Sequence, residues 1–475
     1  MNSLSDADAV VRPRCASDDG IGNRTAGASR SPSAPQKGFS TTLPPSWARP
    51  SAPLFVHLLI TRICNWDCPF CVIKATSGNH GDVNRIESVV ARLGSAKVFD
   101  VTLFGGEPLL HPHAVRIGRM ITDHGMQAGF VSNGDVRLDP REVAKGFPQG
   151  AVSIHGLPHV HDAIVQNRGA FDRSARFLRE YVSAGGRASL CVTVGRKNLD
   201  TFQSFCDYVS VNLPVVSVVV NPVIPFPGGA DALDREDLEM LGTTLTAIAD
   251  RLSCSGIYLT LGATVPFCAL PSTAAHLASA CYAGTLFATV DSNGDVCVCP
   301  ERDSGIGNIL QTDLTSLWGD CSEFEEQSSG SFANEGCLSC VAYTWCIGGC
   351  RSTRGGATST TDIRFRGPEV AQRNLDYLSE RLGNRPEVQK TRSNLVSIAS
   401  GVRSREEPFG MFVLTPEGQP LALDKAGSRL FAQLLKEGRA QAERLAQESD
   451  MSVADVSDFF SQGIRLGVLT EPEGR

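Results

Sequence analysis

The chain has 475 residues, of which 42% are hydrophobic and 20% charged, a composition typical of globular proteins, in a length that favours two or three domains. Its net charge of −7 argues against a general nucleic-acid surface and against attraction to anionic membranes. The sequence contains neither a run of roughly 18 apolar residues nor a signal-peptide pattern, so we expect a cytoplasmic protein without a membrane anchor.

The sixteen cysteines are unevenly distributed along the chain. Three fall between positions 64 and 71, and four fall between positions 337 and 350. In a large chain without an export signal, such groups indicate metal ligands more often than disulfides.

Residues 1–50 are rich in Ser, Pro, Gly and Arg and are predicted to be disordered. From 51 to 265, apolar runs alternate with amphipathic helical patterns, which predicts parallel βαβ units. The fold class is therefore α/β, and the number of repeats suits a partial (β/α)6 barrel with its site at the carboxyl ends of the strands. The predicted strands are Phe55–Leu59, Val98–Phe104, Ala128–Ser132, Ala151–Ile154, Ala188–Val194, Val215–Val220 and Ile257–Leu261.

The first cysteine group follows the first predicted strand as C-N-W-D-C-P-F-C, with thiols at Cys64, Cys68 and Cys71. Three thiolates at this spacing can hold three irons of a cubane and leave the fourth iron for a small chelating molecule. Phe70 is predicted to form an aromatic wall beside that molecule. A zinc knuckle is the alternative, although zinc sites normally have four ligands.

This loop resembles the CX3CX(aromatic)C motif of the radical S-adenosylmethionine (radical SAM) superfamily. The resemblance implies a [4Fe-4S] cluster that chelates S-adenosylmethionine (AdoMet). The turn Gly105-Gly106-Glu107-Pro108, one βα unit later, matches the turn with which the family binds the methionine amino group.

Weaker matches to the family follow at the ends of later strands. Ser132 and Asn133 correspond to ribose contacts, and Ser153 and Arg168 to ribose and carboxylate contacts, while Val194 is expected to line the adenine. His155 stands where many relatives have Asp, so no proton-transfer role follows from that position, and a packed strand-end histidine is the alternative. The sequence identifies no catalytic acid or base.

Residues 266–365 are rich in Cys, Gly and Ser and resemble the SPASM extension of radical SAM enzymes, which holds two auxiliary [4Fe-4S] clusters. The resemblance implies one cluster on Cys281, Cys299 and Cys350, and another on Cys337, Cys340 and Cys346. A zinc ribbon is the alternative. Metal ligation is expected to supply much of the stability of this segment.

The cysteine pattern departs from the family in two places. No cysteine follows Cys350, and none lies five or six residues after Cys281. An iron is therefore left open, or a cluster is missing, or a substitute ligand is used. The substitutes that the sequence offers are Cys268, Cys297, Cys321 and Asp362.

After a linker at 366–402, residues 403–475 predict a β-hairpin and three helices, a winged-helix-like module. The pattern resembles the PqqD-like recognition element of enzymes that mature ribosomally made peptides, in which a leader peptide adds a strand to the sheet. A structural or DNA-binding winged helix is the alternative. Nine Lys or Arg against twelve Asp or Glu in this segment disfavour DNA.

Together these patterns predict a radical SAM enzyme that modifies a residue of a precursor peptide, with reduced flavodoxin or ferredoxin as electron donor. The alternative enzyme is a dehydrogenase or epimerase of a small molecule such as an aminosugar or a cofactor precursor. An iron–sulfur sensor is a third and more distant alternative, since a sensor has no need of an AdoMet site. The sequence does not identify the substrate or the bond that is formed.

Overall fold

The computed structural model describes residues 39–40, 48–73, 78–224, 231–301, 305–329, 333, 335–353, 362, 364–383, 395–416, 418–449 and 451–471. The segment predicted to be disordered, 1–50, lies outside the described residues except for 39–40 and 48–50. The strands in chain order are β1 (Phe39–Ser40), β2 (Phe55–Thr61), β3 (Asp100–Gly105), β4 (Gln127–Ser132), β5 (Gln149–Ser153), β6 (Arg187–Val194), β7 (Ser217–Pro222), β8 (Tyr258–Leu261), β9 (Phe287–Asp291), β10 (Asp295–Cys297), β11 (Gly305–Asn308), β12 (Leu395–Ile398), β13 (Arg403–Glu407), β14 (Gly410–Leu414), β15 (Pro420–Asp424), β16 (Arg439–Gln441) and β17 (Leu469–Thr470).

The helices between β2 and β8 connect successive strands of the main sheet, and the later helices lie in the cysteine-rich segment, the linker and the C-terminal module. In chain order they are α1 (Val83–Ser95), α2 (Ala114–Asp123), α3 (Pro140–Gly146), α4 (Pro158–Val165), α5 (Ala170–Ser183), α6 (Arg196–Leu199), α7 (Phe202–Asn212), α8 (Arg235–Cys254), α9 (Leu314–Gly319), α10 (Glu323–Ser329), α11 (Glu335–Leu338), α12 (Tyr343–Cys346), α13 (Pro368–Gly383), α14 (Lys425–Glu437), α15 (Ala442–Ser449) and α16 (Val453–Arg465).

Strands β2 to β8 lie side by side in chain order, and every neighbouring pair is parallel. This arrangement confirms the predicted α/β barrel. Helix α1 shows why the pattern folds this way, since its buried residues recur at helical spacing and face the sheet: Ile86, Val89, Val90 and Leu93. Asp82 caps its first turn by accepting a hydrogen bond from the backbone N–H of Arg85.

The cysteine-rich segment is continuous with the barrel. Strand β9 pairs parallel with β2, and β10 and β11 extend the same sheet to ten strands. Val290, Leu314 and Trp318 of this segment are buried in the main core. Residues 287–318 therefore also gain stability from apolar side chains that they bury with the barrel, and the contribution of metal ligation to the segment stays a prediction.

The C-terminal module contains more strands than its sequence predicts. The predicted hairpin is β14–β15, and β13 completes a three-stranded sheet on which β1 forms the outer strand next to β15. A second small sheet has the order β16-β12-β17. Helices α14, α15 and α16 pack on these sheets around Leu430, Phe431 and Phe460.

The module is fixed to the amino ends of the barrel strands. Phe412, Leu414 and Ala422 of its sheet share an apolar cluster with Leu54, Phe99 and Leu286 of the barrel. Arg405 is 3% exposed and donates to the carbonyl oxygens of Ala52, Pro53 and Lys97. The module therefore lies at the end of the barrel opposite to the loop with the first cysteine group, which follows the carboxyl end of β2.

Within the residues that the structure describes, no helix has the length and apolar character that crossing a bilayer requires.

Candidate functional site

The first cysteine group lies in the loop that follows β2. This loop lies at the carboxyl ends of the barrel strands, the end that we call the mouth of the barrel. The loop turns tightly, because the Cys71 N–H donates to the Cys68 carbonyl oxygen at 3.0 Å. The thiols of Cys64 and Cys68 lie against the apolar cluster of Trp66 and Ile164. All three cysteines are only partly exposed.

The raised pKa values of these thiols fit the binding of a cationic group, which stabilises their deprotonated form. Burial, with a smaller contribution from the charge of the neighbouring Cys71, raises the pKa of Cys64 to about 11 and that of Cys68 to about 12. Thiolates crowded in this way are stabilised when they bind metal, which deprotonates a coordinating thiol. The donor set therefore fits three irons of a [4Fe-4S] cluster.

The Gly-Gly-Glu-Pro turn begins at the end of β3, beside the end of β2. Gly105 has φ of 145°, and a Cβ there would lie 2.2 Å from the Thr61 carbonyl oxygen, so no larger residue fits. The Gly106 N–H donates to the same oxygen at 2.9 Å. The two glycines thus let the turn lie directly against the strand that leads to the cysteine loop.

Glu107 is 1% exposed, and hydrogen bonds occupy both of its carboxylate oxygens. Oε1 accepts from Ser132 Oγ at 2.8 Å and from the Leu109 N–H at 2.9 Å, and Oε2 accepts from the Asn133 N–H at 2.7 Å. Burial raises its pKa to about 7. Glu107 therefore joins the turn after β3 to the turn after β4, which brings the predicted residues Ser132 and Asn133 to the same edge.

A polar network that the sequence analysis missed ties the cysteine loop to the turn after β4. Asn133 Nδ2 donates to Asn65 Oδ1, and Asn65 Nδ2 donates to the Asp135 carbonyl oxygen. Asp135 accepts from Trp66 Nε1 and pairs with Arg173 at 2.7 Å. The only sequence signal for Asp135 is its position two residues after the predicted Asn133.

Phe70 contacts the end of β5 across the mouth. Its ring lies 5.0 Å from the His155 ring in an edge-on arrangement. His155 is 3% exposed, and its Nδ1 accepts from the Thr193 N–H. Burial lowers its pKa well below the ordinary value, so His155 is a neutral, packed strand-end histidine.

The inner face of the barrel carries polar side chains near the predicted Ser153. Ser153 lies next to Cys191 on the neighbouring strand, and Cys191 Sγ accepts from Asn221 Nδ2 at 3.1 Å. On strand β6, alternate residues point to opposite faces, and Val194 falls on the helix side, fully buried in the main core. The adenine contact of Val194 stays a prediction, and on this strand its side chain faces away from the barrel interior.

Arg168 lies in the turn between α4 and α5, and its side chain is exposed. The turn is held near the cysteine loop, because Gln166 Nε2 donates to the Asp67 carbonyl oxygen at 3.1 Å. The structure thus places Arg168 at the rim of the mouth, outside the hydrogen-bonded network of Glu107.

The structure brings the auxiliary cysteines into the two groups implied by the family resemblance. In the first group, burial raises the pKa of Cys350 to about 12, with further contributions from the nearby Cys281 and Glu301. Burial likewise raises the pKa of Cys299, which lies near Glu301, Cys281 and Cys350.

The second group lies on α11, α12 and the turn between them. The Cys340 N–H donates to the Cys337 carbonyl oxygen at 3.0 Å, and the Cys346 N–H donates to the Ala342 carbonyl oxygen at 2.9 Å. Cys337 is buried, while Cys340 and Cys346 pack against one apolar cluster. Cys337 lies near Cys346, so the three cysteines are close together in the fold.

No three Cys, His, Asp or Glu side chains in the described part of the chain lie close enough together to hold a single metal ion. The irons of a cubane each take a separate thiolate, so the ligands of a cluster stand farther apart than those of one ion. Both auxiliary groups consist of cysteines, the usual donors for such clusters.

Two family models match the chain. The model of the radical SAM superfamily matches residues 58–209, and the SPASM model, an iron–sulfur cluster-binding domain, matches residues 281–341. The first match spans the cysteine loop and strands β3 to β6, and the second spans β9 to α11.

Known proteins with similar sequences include a maturase and a heme synthase. The mycofactocin maturase MftC of Mycobacterium ulcerans is 26% identical over 324 residues, which cover 64% of this chain and 84% of that protein. The AdoMet-dependent heme synthase of Oleidesulfovibrio alaskensis is 22% identical, over 62% of this chain and 81% of that protein.

Among solved structures, Streptococcus suis SuiB bound to the precursor peptide SuiA has a similar fold. It superposes with a TM-score of 0.55 at 17% identity and covers 68% of this chain and 76% of that chain. The protein is therefore an enzyme with a radical SAM domain and a SPASM iron–sulfur domain, and its cofactors are AdoMet and [4Fe-4S] clusters.

Proposed function

We propose that this enzyme modifies a residue of a ribosomally made precursor peptide, by crosslinking or oxidation. The observation that carries the proposal is the C-terminal module, a small sheet with helices that is fixed to a radical SAM barrel. The likeness to the mycofactocin maturase over 84% of that protein supports it.

Cys64, Cys68 and Cys71 are proposed to hold the AdoMet cluster, and the auxiliary groups are proposed to hold the other clusters. When bound, the reduced cluster and AdoMet supply a 5′-deoxyadenosyl radical that removes a hydrogen atom from the substrate. The protein's own part is to position the substrate and to exclude water from the mouth.

Each proposed AdoMet contact lies on the carboxyl edge of the barrel. Gly105, Gly106 and Pro108 form the turn for the methionine end, and Glu107 holds that turn in register with Ser132 and Asn133. Phe70 closes one side of the mouth against His155. Ser153 faces the barrel interior, and Arg168 at the rim is available to a carboxylate.

The leader of the precursor is proposed to bind the C-terminal module at the outer edge of β15, beside α16. An added strand gains backbone hydrogen bonds along the five residues Pro420–Asp424. The core segment then extends to the mouth at the other end of the barrel. A reduced flavodoxin or ferredoxin is the proposed electron donor, and the cytoplasm, where thiols stay reduced, is the proposed location.

A small-molecule substrate is the second proposal, and the likeness to an AdoMet-dependent heme synthase favours it. The two proposals differ in what the C-terminal module does. Only a peptide enzyme needs residues 403–470 to recognise its substrate.

The test uses anaerobically reconstituted full chain, dithionite, AdoMet and a synthetic precursor encoded by a short reading frame next to the gene. We expect 5′-deoxyadenosine together with a mass change in the peptide's core segment. Formation of 5′-deoxyadenosine with neither peptide binding nor a mass change in the peptide would contradict the peptide proposal and favour a small molecule.

A further inference from the structure

Cys268 lies beside the second auxiliary group, which has one cysteine too few for a complete cluster. It belongs to the short turn Phe267–Ala269 that follows β8, far in sequence from the other three cysteines. Its side chain is 5% exposed and belongs to the apolar cluster against which Cys340 and Cys346 pack.

Two kinds of contact join this turn to the group. The Phe267 N–H donates to Cys346 Sγ at 3.3 Å. Burial, with smaller contributions from the charges of the nearby Cys268 and Cys337, raises the pKa of Cys346 to about 12. The charge of Cys268 also raises the pKa of Cys340, after the larger effect of burial.

The surroundings of Cys268 also fit a cluster thiolate. Its Sγ accepts a hydrogen bond from the Arg366 N–H at 3.3 Å. Backbone N–H groups that donate to cluster sulfurs stabilise their negative charge. Asp362, another substitute that the sequence offers, is already engaged, because its carboxylate accepts from the Cys350 N–H and from the Arg364 guanidinium.

We propose that Cys268 is the fourth thiolate of the second auxiliary cluster, together with Cys337, Cys340 and Cys346. The inference rests on the proposed function, since it requires that this group holds a cluster. It gives the cluster a ligand that precedes Cys281, in place of a cysteine after Cys350. A cluster with four thiolates has no open iron for substrate, so this one transfers electrons only.

The test measures iron and electron paramagnetic resonance in full chain that lacks Cys64, Cys68 and Cys71, so that only auxiliary iron is counted. Cys340→Ala is the reference and Cys206→Ala, a buried cysteine of α7, is the control. We expect Cys268→Ala and Cys340→Ala each to lose up to about four irons per chain or to show a three-iron signal, and Cys206→Ala to lose none. Cys268→Ser is expected to keep the fold and to show an altered signal, since an alkoxide replaces a thiolate.

The outcomes distinguish the role of Cys268 as a ligand from the existence of the second auxiliary cluster. Loss of iron in Cys340→Ala but parental iron and spectra in both Cys268 variants would overturn the role of Cys268 alone. Parental iron in Cys340→Ala would overturn the second cluster itself and, with it, this inference. If Cys268→Ala fails to fold, the spectrum of Cys268→Ser decides.

A separate observation concerns the edge of β15. Strand β1 pairs antiparallel with it, with Phe39 opposite Leu423 and Ser40 opposite Ala422, and also lies beside α16. The chain's own residues therefore occupy part of the edge where the proposed leader would add a strand.

We infer that Phe39–Ser40 is an internal competitor of the leader, an inference that also rests on the proposed function. A segment tethered to the same chain acts at a high effective concentration, on the order of millimolar. It pairs with two residues of β15, however, whereas a leader can pair with all five. The leader therefore displaces β1 at some loss of affinity.

The test compares a labelled precursor binding to wild type, to Phe39→Pro/Ser40→Pro and to Phe39→Ala/Ser40→Ala, all as full chain. Proline removes the backbone N–H groups that strand pairing needs, and alanine keeps them. We expect the proline variant to bind several-fold more tightly than the alanine variant. Equal binding by the two variants would overturn the competitor, and no binding by any of the three proteins would overturn leader recognition itself.

Discussion

Glu107 Oε2 accepts a 2.7 Å hydrogen bond from the backbone N–H of Asn133, and this bond joins the turns that end β3 and β4. Ser132 and Leu109 donate to the other carboxylate oxygen. A single buried side chain thus sets the relative position of two turns that are proposed to contact AdoMet.

Replacing Glu107 with Gln should weaken the hydrogen-bonded connection between these two turns. The amide group of Gln brings two donors to a place where three donors converge, so at least one N–H or O–H loses its acceptor, at a cost of about 1–3 kcal/mol. We expect 5′-deoxyadenosine formation to fall about tenfold or more, the effect of about 1.4 kcal/mol. Glu87→Gln, at an exposed site on α1, is the control and should behave as wild type.

Stability should depend on pH through the same residue. Burial raises the pKa of Glu107 to about 7 in the folded protein, from 4.5. The folded state therefore favours the protonated acid, and this contribution to stability is present below about pH 4.5 and lost as the pH rises through about 7. Chemical unfolding of both proteins should show Glu107→Gln gaining stability relative to wild type from pH 5.5 to pH 8. A constant difference would contradict the buried position of this carboxyl group.

The iron bound by the first cysteine group should be removable without loss of the iron bound by the auxiliary cysteines. Substituting Cys64, Cys68 and Cys71 with alanine should remove about four irons per chain and abolish 5′-deoxyadenosine formation, and the auxiliary signals should remain. Iron analysis and product chromatography measure both effects. If the triple variant still cleaves AdoMet, the proposed ligand set is wrong.

Arg405 should anchor the C-terminal module. Arg405→Met leaves Glu407 and three carbonyl oxygens of the barrel without their buried donor, which costs about 3–5 kcal/mol. We expect faster proteolysis between barrel and module and a loss of peptide modification, while the leader still binds. Arg439→Met, at an exposed position of β16, is the matched control. Equal resistance of both variants to proteolysis would show that Arg405 is not needed for docking.

The distance between leader and modified residue should have a lower limit. The module lies at the amino end of β2, and the cysteine loop follows its carboxyl end, seven residues away or about 23 Å at about 3.3 Å per residue. Precursors with fewer than about seven residues between the leader segment and the modified residue should therefore bind without being modified. Mass spectrometry of precursors shortened two residues at a time measures this limit, and modification of a peptide with a two-residue spacer would contradict the proposed path.

Much of the barrel could be predicted, because its strands are continuous apolar runs separated by amphipathic helices. The predicted strand Ala188–Val194 corresponds to β6, which begins one residue earlier. The cysteine loop and the Gly-Gly-Glu-Pro turn are short, local motifs, so their positions at strand ends followed from the sequence.

Features that depend on distant contacts could not be predicted. Strand β13 reads as R-S-R-E-E, a polar surface segment, yet Arg405 and Glu407 in it are buried and pair with each other against the barrel. The orientation of the Val194 side chain, which the alternation along β6 turns toward the helices, did not follow from its position at a strand end. The hydrogen bond from Phe267 to Cys346 joins residues 79 positions apart, and that from Arg366 to Cys268 joins residues 98 positions apart, beyond the reach of a spacing pattern.

The pairing of β9 with β2 has a consequence for how electrons reach the substrate. Cys281 and Cys299 flank a hairpin that is hydrogen-bonded to the strand leading into the cysteine loop, so the two iron-binding regions share one rigid frame. We therefore expect the distance for electron transfer between them to be set by folding and to stay the same whichever peptide is present. Selectivity among peptides should accordingly come from how the protein binds and positions each peptide, and not from a change in electron transfer between the clusters.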